Sequence, residues 1–155
     1  MEEAPWYEQV SIPALLRQAR YTYGKAMRAA LEEAGYDDIP ANGLYIIGGL
    51  ALDDERLPLR ELVKQLGITK QGAGQLVDAL VMRGYLSRTV DESDRRQLII
   101  ALTERGRSAA DVQTKARDRI DGRLLARVSN DEVSAARKVL GSLVLMHHEE
   151  AASVD

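Results

Sequence analysis

The 155 residues contain no cysteine and no phenylalanine. The first absence excludes disulfides, thiolate metal sites and thiol-based redox sensing. The second leaves six Tyr and one Trp, so a core must be packed from Leu, Ile, Val, Ala and Met. No stretch approaches the ~18 apolar residues of a membrane span. The opening MEEAPWYEQV is acidic, has no apolar run and does not read as a secretory signal. These absences predict a soluble cytoplasmic protein. Catalytic signatures are missing too. Gly43-x-x-x-x-Gly48-Gly49 lacks the Lys and Ser/Thr of a phosphate loop. No nucleophile is paired with a base, so no enzyme and no cofactor is expected. His147 and His148 are adjacent and would diverge on a helix, so no metal site is expected.

Hydrophobic residues make up 45% of the chain, enough to build a core and to set disorder aside. The net charge of −3 looks wrong for a nucleic-acid binder, but its distribution does not. Residues 59–107 carry nine Lys/Arg against six Asp/Glu, an excess of +3, and the remainder carries −6. The basic excess coincides with the segment whose pattern is most informative.

That segment reads LRELVKQLGITKQGAGQLVDALVMRGYLSRTVDESDRRQLIIALTERGR. Pro58 suits a helix entry, and Leu59, Leu62, Val63 and Leu66 repeat at helical spacing. Gly67 suits the turn that follows, Thr69 is a good N-cap, and Ala73, Leu76, Val77, Leu80 and Val81 form the buried face of a second helix. Gly84 closes it. Residues 85–89 and 98–102 are short strands around a polar tip at 90–97. The order is helix, turn, helix, hairpin, which is a winged helix-turn-helix.

Helices flank this unit. One runs over 12–34, with Ile12, Leu15, Leu16, Ala19, Tyr23, Ala26, Ala30 and Leu31 on one face. A second spans about 41–52 and contains Gly48-Gly49, a destabilising pair that a close packing contact would justify. Beyond the hairpin, Thr103 caps a long helix to about 127, and Ser129-Asn130-Asp131-Glu132 has the form of a capping box for a last helix. The predicted fold is mainly α, a winged helix-turn-helix with long N- and C-terminal dimerisation helices. Three segments of one continuous domain are expected: 1–52, 53–103 and 104–155. A winged unit of this size cannot cover the apolar stripes of its flanking helices, so a second copy is expected to, as a homodimer.

A recognition helix reads base edges from its N-terminal turns. Here Thr69 caps the helix, Lys70 can reach a phosphate or a guanine, and Gln71 and Gln75 share a face and suit adenine. Gly72 and Gly74 carry no side chain, so backbone can approach the groove floor. In the hairpin tip, Asp94-Arg95-Arg96 places guanidinium groups for a narrow minor groove, and Asp94 can hold one of them by a fork of hydrogen bonds. Arg95 sits nearer the tip, but either arginine can be the one that enters. Arg60, Lys64, Arg83 and Arg88 are further cations within reach of phosphates. A winged fold can also serve as a protein–protein interaction module without specific DNA binding. The wing discriminates, because an adaptor needs no Lys70 and Asp94-Arg95-Arg96 together.

LRELVKQLGITKQGAGQLVDALVMRGYLSR, the wing DESDRR and the following LTERGR resemble the multiple-antibiotic-resistance regulator (MarR) family. The resemblance implies a homodimer that binds palindromic double-stranded DNA, commonly as a repressor, and releases it when a small aromatic effector binds. It assigns Lys70, Gln71 and Gln75 to groove reading and Asp94, Arg95 and Arg96 to the wing. Gly72 and Gly74 depart from the small polar or β-branched residues more usual there. The family layout also puts Tyr21, Tyr23 and Tyr45 beside an effector cleft, where a ring with a polar tip suits an aromatic acid. The same tyrosines can instead fill a core that lacks phenylalanine.

Overall fold

The computed structural model describes residues 4–152. After a short 3₁₀ turn at Trp6–Gln9 come α1 (Ile12–Glu33), α2 (Gly43–Leu52), β1 (Arg56–Pro58), α3 (Leu59–Leu66), α4 (Lys70–Met82), β2 (Leu86–Val90), β3 (Leu98–Leu102), α5 (Glu104–Leu125) and α6 (Asn130–Ala152). The chain forms two compact units, residues 1–117 and 118–155, with α5 running across the division.

The local signals act where the sequence places them. Pro13 occupies the first turn of α1. Gly67 takes φ 61° after α3, and Gly84 takes φ 78° after α4, so both helices end in a left-handed step that a Cβ would strain. Thr69 Oγ1 accepts the Gly72 amide at 3.1 Å and caps α4. Three antiparallel strands form a sheet in the order β1-β3-β2, with Leu57 and Arg88 flanking Ile100 in register. β1 is absent from the sequence reading. Its three residues are too few to show alternation, and it exists because β3 offers a free edge.

The core of the first unit joins α2, α4 and the sheet. Leu44, Ile46, Ile47 and Leu50 meet Val77, Leu80, Leu86 and Ile100, all fully buried. α2 starts at Gly43 rather than 41, and a Cβ on Gly43 would press on Ile39 and Leu80 at 3.1 Å. The packing contact that Gly48-Gly49 called for exists at one of the pair. A Cβ on Gly48 would stand 3.0 Å from Gln113 Oε1, whereas Gly49 has open space. The apolar stripe of α1 is less buried than its spacing suggests. Leu31 is enclosed, but Ile12 and Leu16 are exposed.

Two clusters fasten the winged part to its neighbours. In the first, Thr103 Oγ1 donates to the Gly84 and Tyr85 carbonyls at 2.5 and 3.0 Å and accepts the Gly106 amide at 3.0 Å. α5 therefore starts flush against the turn after α4. In the second, the Tyr85 hydroxyl donates to Asp38, and Arg105 donates to that hydroxyl at 2.9 Å and to Asp38 at 3.3 Å. The Arg105 guanidinium also lies 4.6 Å over the Tyr85 ring and 5.4 Å over Tyr36. Burial, reinforced by the Asp38 carboxylate, pushes the Tyr85 hydroxyl up to about 12. The hydroxyl and Arg105 hold Asp38 below the usual carboxylate range.

In the second unit, the capping box closes reciprocally. Ser129 N–H donates to Glu132 Oε2 at 2.8 Å, and Glu132 N–H donates to Ser129 Oγ at 3.2 Å. Along α6, Val139, Leu140, Leu143, Val144, Leu145 and Met146 are all exposed.

Two outcomes are expected. Gly106→Ala would drive a Cβ into the Tyr85 carbonyl oxygen and within 3.1 Å of Leu102. It should lower unfolding free energy by about 1–3 kcal/mol in denaturant titration. The raised Tyr85 value favours the neutral phenol in the fold. Its contribution is complete below pH 10.0 and disappears as pH rises through about 12. Stability of Tyr85→Phe, measured across alkaline pH, should therefore fall less steeply than that of the parent chain.

Candidate nucleic-acid interface

α4 is two-faced because its apolar residues recur every three to four positions. Ala73, Val77 and Leu80 turn inward and are fully buried. The opposite face, over the first two turns, presents Lys70, Gln71 and Gln75, all exposed. Their side chains make no hydrogen bond or ion pair to any described residue. Thr69 is likewise exposed, with its hydroxyl committed to the cap.

The wing tip is held by its own acids. Asp91 accepts the Ser93 amide at 2.8 Å and the Ser93 hydroxyl at 2.7 Å. Asp94 accepts the Arg96 amide at 3.1 Å and Gln97 Nε2 at 2.9 Å. The fork from Asp94 to a guanidinium is therefore not formed. Backbone and amide donors lie closer than either arginine side chain, and Asp94 shapes the turn instead of aiming a cation. Ser93 hydrogen bonds hold Asp91 below the usual carboxylate range, and Gln97 with the Arg96 amide does the same for Asp94. The order these bonds give is complete above pH 3.8 and is lost as pH falls through the lower folded values. With the acids so engaged, Arg95 and Arg96 stay exposed, and neither guanidinium is paired with a described residue.

The structure brings Lys70 and Arg96 to one place. They line a cleft of about 480 Å³ between α3, the start of α4 and the wing base, together with Arg60 and Lys64 over a floor of Leu59, Val63 and Leu98. Glu61 lies 3.6 Å from Arg60 and 3.9 Å from Lys64, close enough to orient both but with one charge against four. Arg83 and Arg88, the other cations within reach of phosphates on sequence grounds, are turned to internal partners. Arg83 donates to the Asp38 carbonyl at 2.6 Å, and Arg88 pairs with Asp78 on α4. The Arg88–Asp78 pair ties the recognition helix to the first wing strand, a link that residue spacing does not announce.

Of the three tyrosines expected at an effector cleft, two meet. Tyr21 and Tyr45 line a cleft of about 380 Å³ between α1 and α2, with Lys25, Arg28 and Glu32 at its sides. Tyr23 is half-buried and is not part of that lining. Tyr45 is fixed on both sides. Arg20 stacks on its ring at 4.2 Å, and its hydroxyl occupies space beside Gly24, 2.8 Å from where a Cβ would stand. Arg28 donates to the Ala41 carbonyl at 2.6 Å and so braces the entry to α2. Among the described residues, no cluster of three or more His, Asp or Glu is arranged for a metal ion. No described helix is long and apolar enough to cross a membrane.

Comparison with known proteins places this geometry. Residues 38–97 match the sequence profile of the MarR family. The HTH-type transcriptional regulator SarZ of Staphylococcus epidermidis is 34% identical over 68 residues, which is 44% of this chain and 46% of that protein. The chain thus spans about half the length of the relatives it matches in sequence. Among solved structures, Streptococcus pneumoniae FabT in complex with DNA superposes with a TM-score of 0.73 at 19% identity, covering 92% of this chain and 98% of FabT. A single-site mutant of E. coli MarR complexed with operator DNA gives 0.69 at 18%, covering 90% and 99%. NadR in complex with 4-hydroxyphenylacetate gives 0.72 at 21%, covering 92% and 97%. At these identities the structures establish a shared fold, and the sequence match is confined to the middle of the chain. Residues 38–97, which hold the helix-turn-helix and most of the wing, are similar to the MarR family.

Proposed function

We propose that the chain is a transcriptional regulator that acts in the cytoplasm, binds a palindromic operator as a homodimer, and represses until an aromatic acid releases it. One observation carries the DNA-binding part. Lys70, Gln71 and Gln75 of α4 and Arg95 and Arg96 of the wing are exposed and pair with no described residue, Lys70 and Arg96 line one basic cleft, and nearby Arg83 and Arg88 are engaged internally. Gln71 and Gln75 supply base-edge donors and acceptors, and Lys70, Arg60 and Lys64 meet phosphates. The wing arginines suit the adjoining minor groove. FabT and the MarR mutant, the structural relatives described above, were solved with DNA.

Exposed apolar surface within each unit supports the dimer. Ile12 and Leu16 on α1 are exposed, as are Leu140, Leu143 and Met146 on α6. Apolar surface of that kind, on either helix, marks an interface. The α1–α2 cleft supports the effector. Tyr21 and Tyr45 offer aromatic surface, and Lys25 offers charge for a carboxylate. NadR was solved with 4-hydroxyphenylacetate, and DNA binding by Bordetella bronchiseptica BpsR is regulated by 6-hydroxynicotinic acid, both small aromatic acids. The reading as a protein–protein adaptor leaves the free wing arginines without a task.

Selection of bound duplexes with the purified chain should yield a two-fold symmetric site. On that site, Arg95→Ala should reduce affinity at least about tenfold, and Lys70→Ala should lower the slope of log affinity against log salt by about one. Unchanged binding in both variants would favour the adaptor. In thermal-shift screening, an aromatic carboxylate should raise the melting temperature and weaken operator binding. Lys25→Gln should blunt both effects, and a ligand acting equally on parent and variant would place the effector elsewhere.

A further inference from the structure

The recognition helix contains two glycines, and the fold accounts for only one. Gly72 donates its amide to Thr69 Oγ1, and a Cβ at this position would crowd that same oxygen at 3.1 Å. A side chain there would disturb the cap, so this glycine serves the helix terminus. Gly74 is different. Nothing lies within 4 Å of where its Cβ would stand. Its φ is not among the positive values of the chain, so an L-residue would not be strained. Alanine would fit and would favour the helix, because glycine in a helix interior loses more backbone entropy on folding. The missing methyl brings no benefit inside the protein.

Gly74 sits one turn after Lys70 and immediately before Gln75, and is half-buried at the margin of the exposed face that Gln71 and Gln75 present. We propose that Gly74 is a specificity-determining position. Its bare backbone lets α4 seat deep enough for Gln71 and Gln75 to hydrogen-bond base edges. This rests on the DNA-binding reading above. The physical reason is one of tolerance. A hydrogen bond weakens over a few tenths of an ångström, and Gln has little reach to spare. A methyl group on the approaching face holds the helix off by more than that. Lys and Arg, with long flexible stems, still reach phosphates from the shallower position. Adding the methyl should therefore remove discrimination while leaving non-specific attachment in place.

The test compares the full chain with Gly74→Ala and with Gly49→Ala, whose glycine is equally open but lies on α2. Each is measured on the selected operator and on a scrambled duplex of equal length at one salt concentration, and each is melted. Gly74→Ala should melt ~2–4 °C higher than the parent. It should lose about tenfold or more on the operator, the scale of one lost base contact, while the scrambled duplex changes by less than about twofold. Operator affinity unchanged by Gly74→Ala overturns the proposal. So does an equal loss on both duplexes, or the same loss from Gly49→Ala. A parent chain that selects no duplex removes the DNA-binding reading itself, a result visible before any variant is made.

Discussion

The hydroxyl of Thr103 fastens the turn after the recognition helix to the start of α5. It bonds the Gly84 and Tyr85 carbonyls between α4 and β2, and it accepts the Gly106 amide in the first turn of α5. Gly106 lets the backbones touch there, since any Cβ would overlap the Tyr85 carbonyl. A reader of DNA must offer its helix and its loop at a fixed separation. In this chain a knot of four residues, Thr103, Gly84, Tyr85 and Gly106, holds the turn after α4 against the first turn of α5. The Arg88–Asp78 pair adds a second tie, from the wing strand back to the middle of α4.

Charge is distributed by the same logic. Several arginines near the interface are engaged inside the protein: Arg83 on the Asp38 carbonyl, Arg88 on Asp78, Arg105 on Tyr85 and Asp38, and Arg107 on the Leu102 carbonyl and Glu55. Arg95 and Arg96 of the wing pair with no described residue, and Lys70 joins them at the helix start. The wing acids sharpen this division. Asp91 and Asp94 lie in the same loop as the arginines but neutralise neither, because backbone amides and the Ser93 and Gln97 side chains occupy them first. An acidic protein can in this way present a locally basic face.

Much of the architecture is legible in the sequence because it is written in short-range chemistry. Thr69, Ser129-Glu132, Gly67 and Gly84 act within four residues of themselves, and each marks the boundary its residue type predicts. Helix faces follow from spacing for α4, less so for α1, where Ile12 and Leu16 are exposed. What escapes depends on contacts between distant segments. β1 forms only because residues more than forty positions later offer an edge. The tether of Arg83 to Asp38 spans 45 positions and that of Arg105 spans 67. Asp94 differs from its sequence reading for a related reason: composition names the acid but not which of several nearby donors reaches it first. Gly72 and Gly74 look alike as letters, and only a three-dimensional inventory of their surroundings separates a capping glycine from one with no internal duty.

The central claim is that α4 and the wing address neighbouring grooves of one duplex at the same time. Hydroxyl-radical and methylation footprinting of the full chain on its selected site tests this directly. Two symmetry-related patches of major-groove protection are expected, centred about 10 base pairs or a multiple of that apart, each flanked by protected minor groove. Protection confined to one groove, or lacking two-fold symmetry, would contradict it.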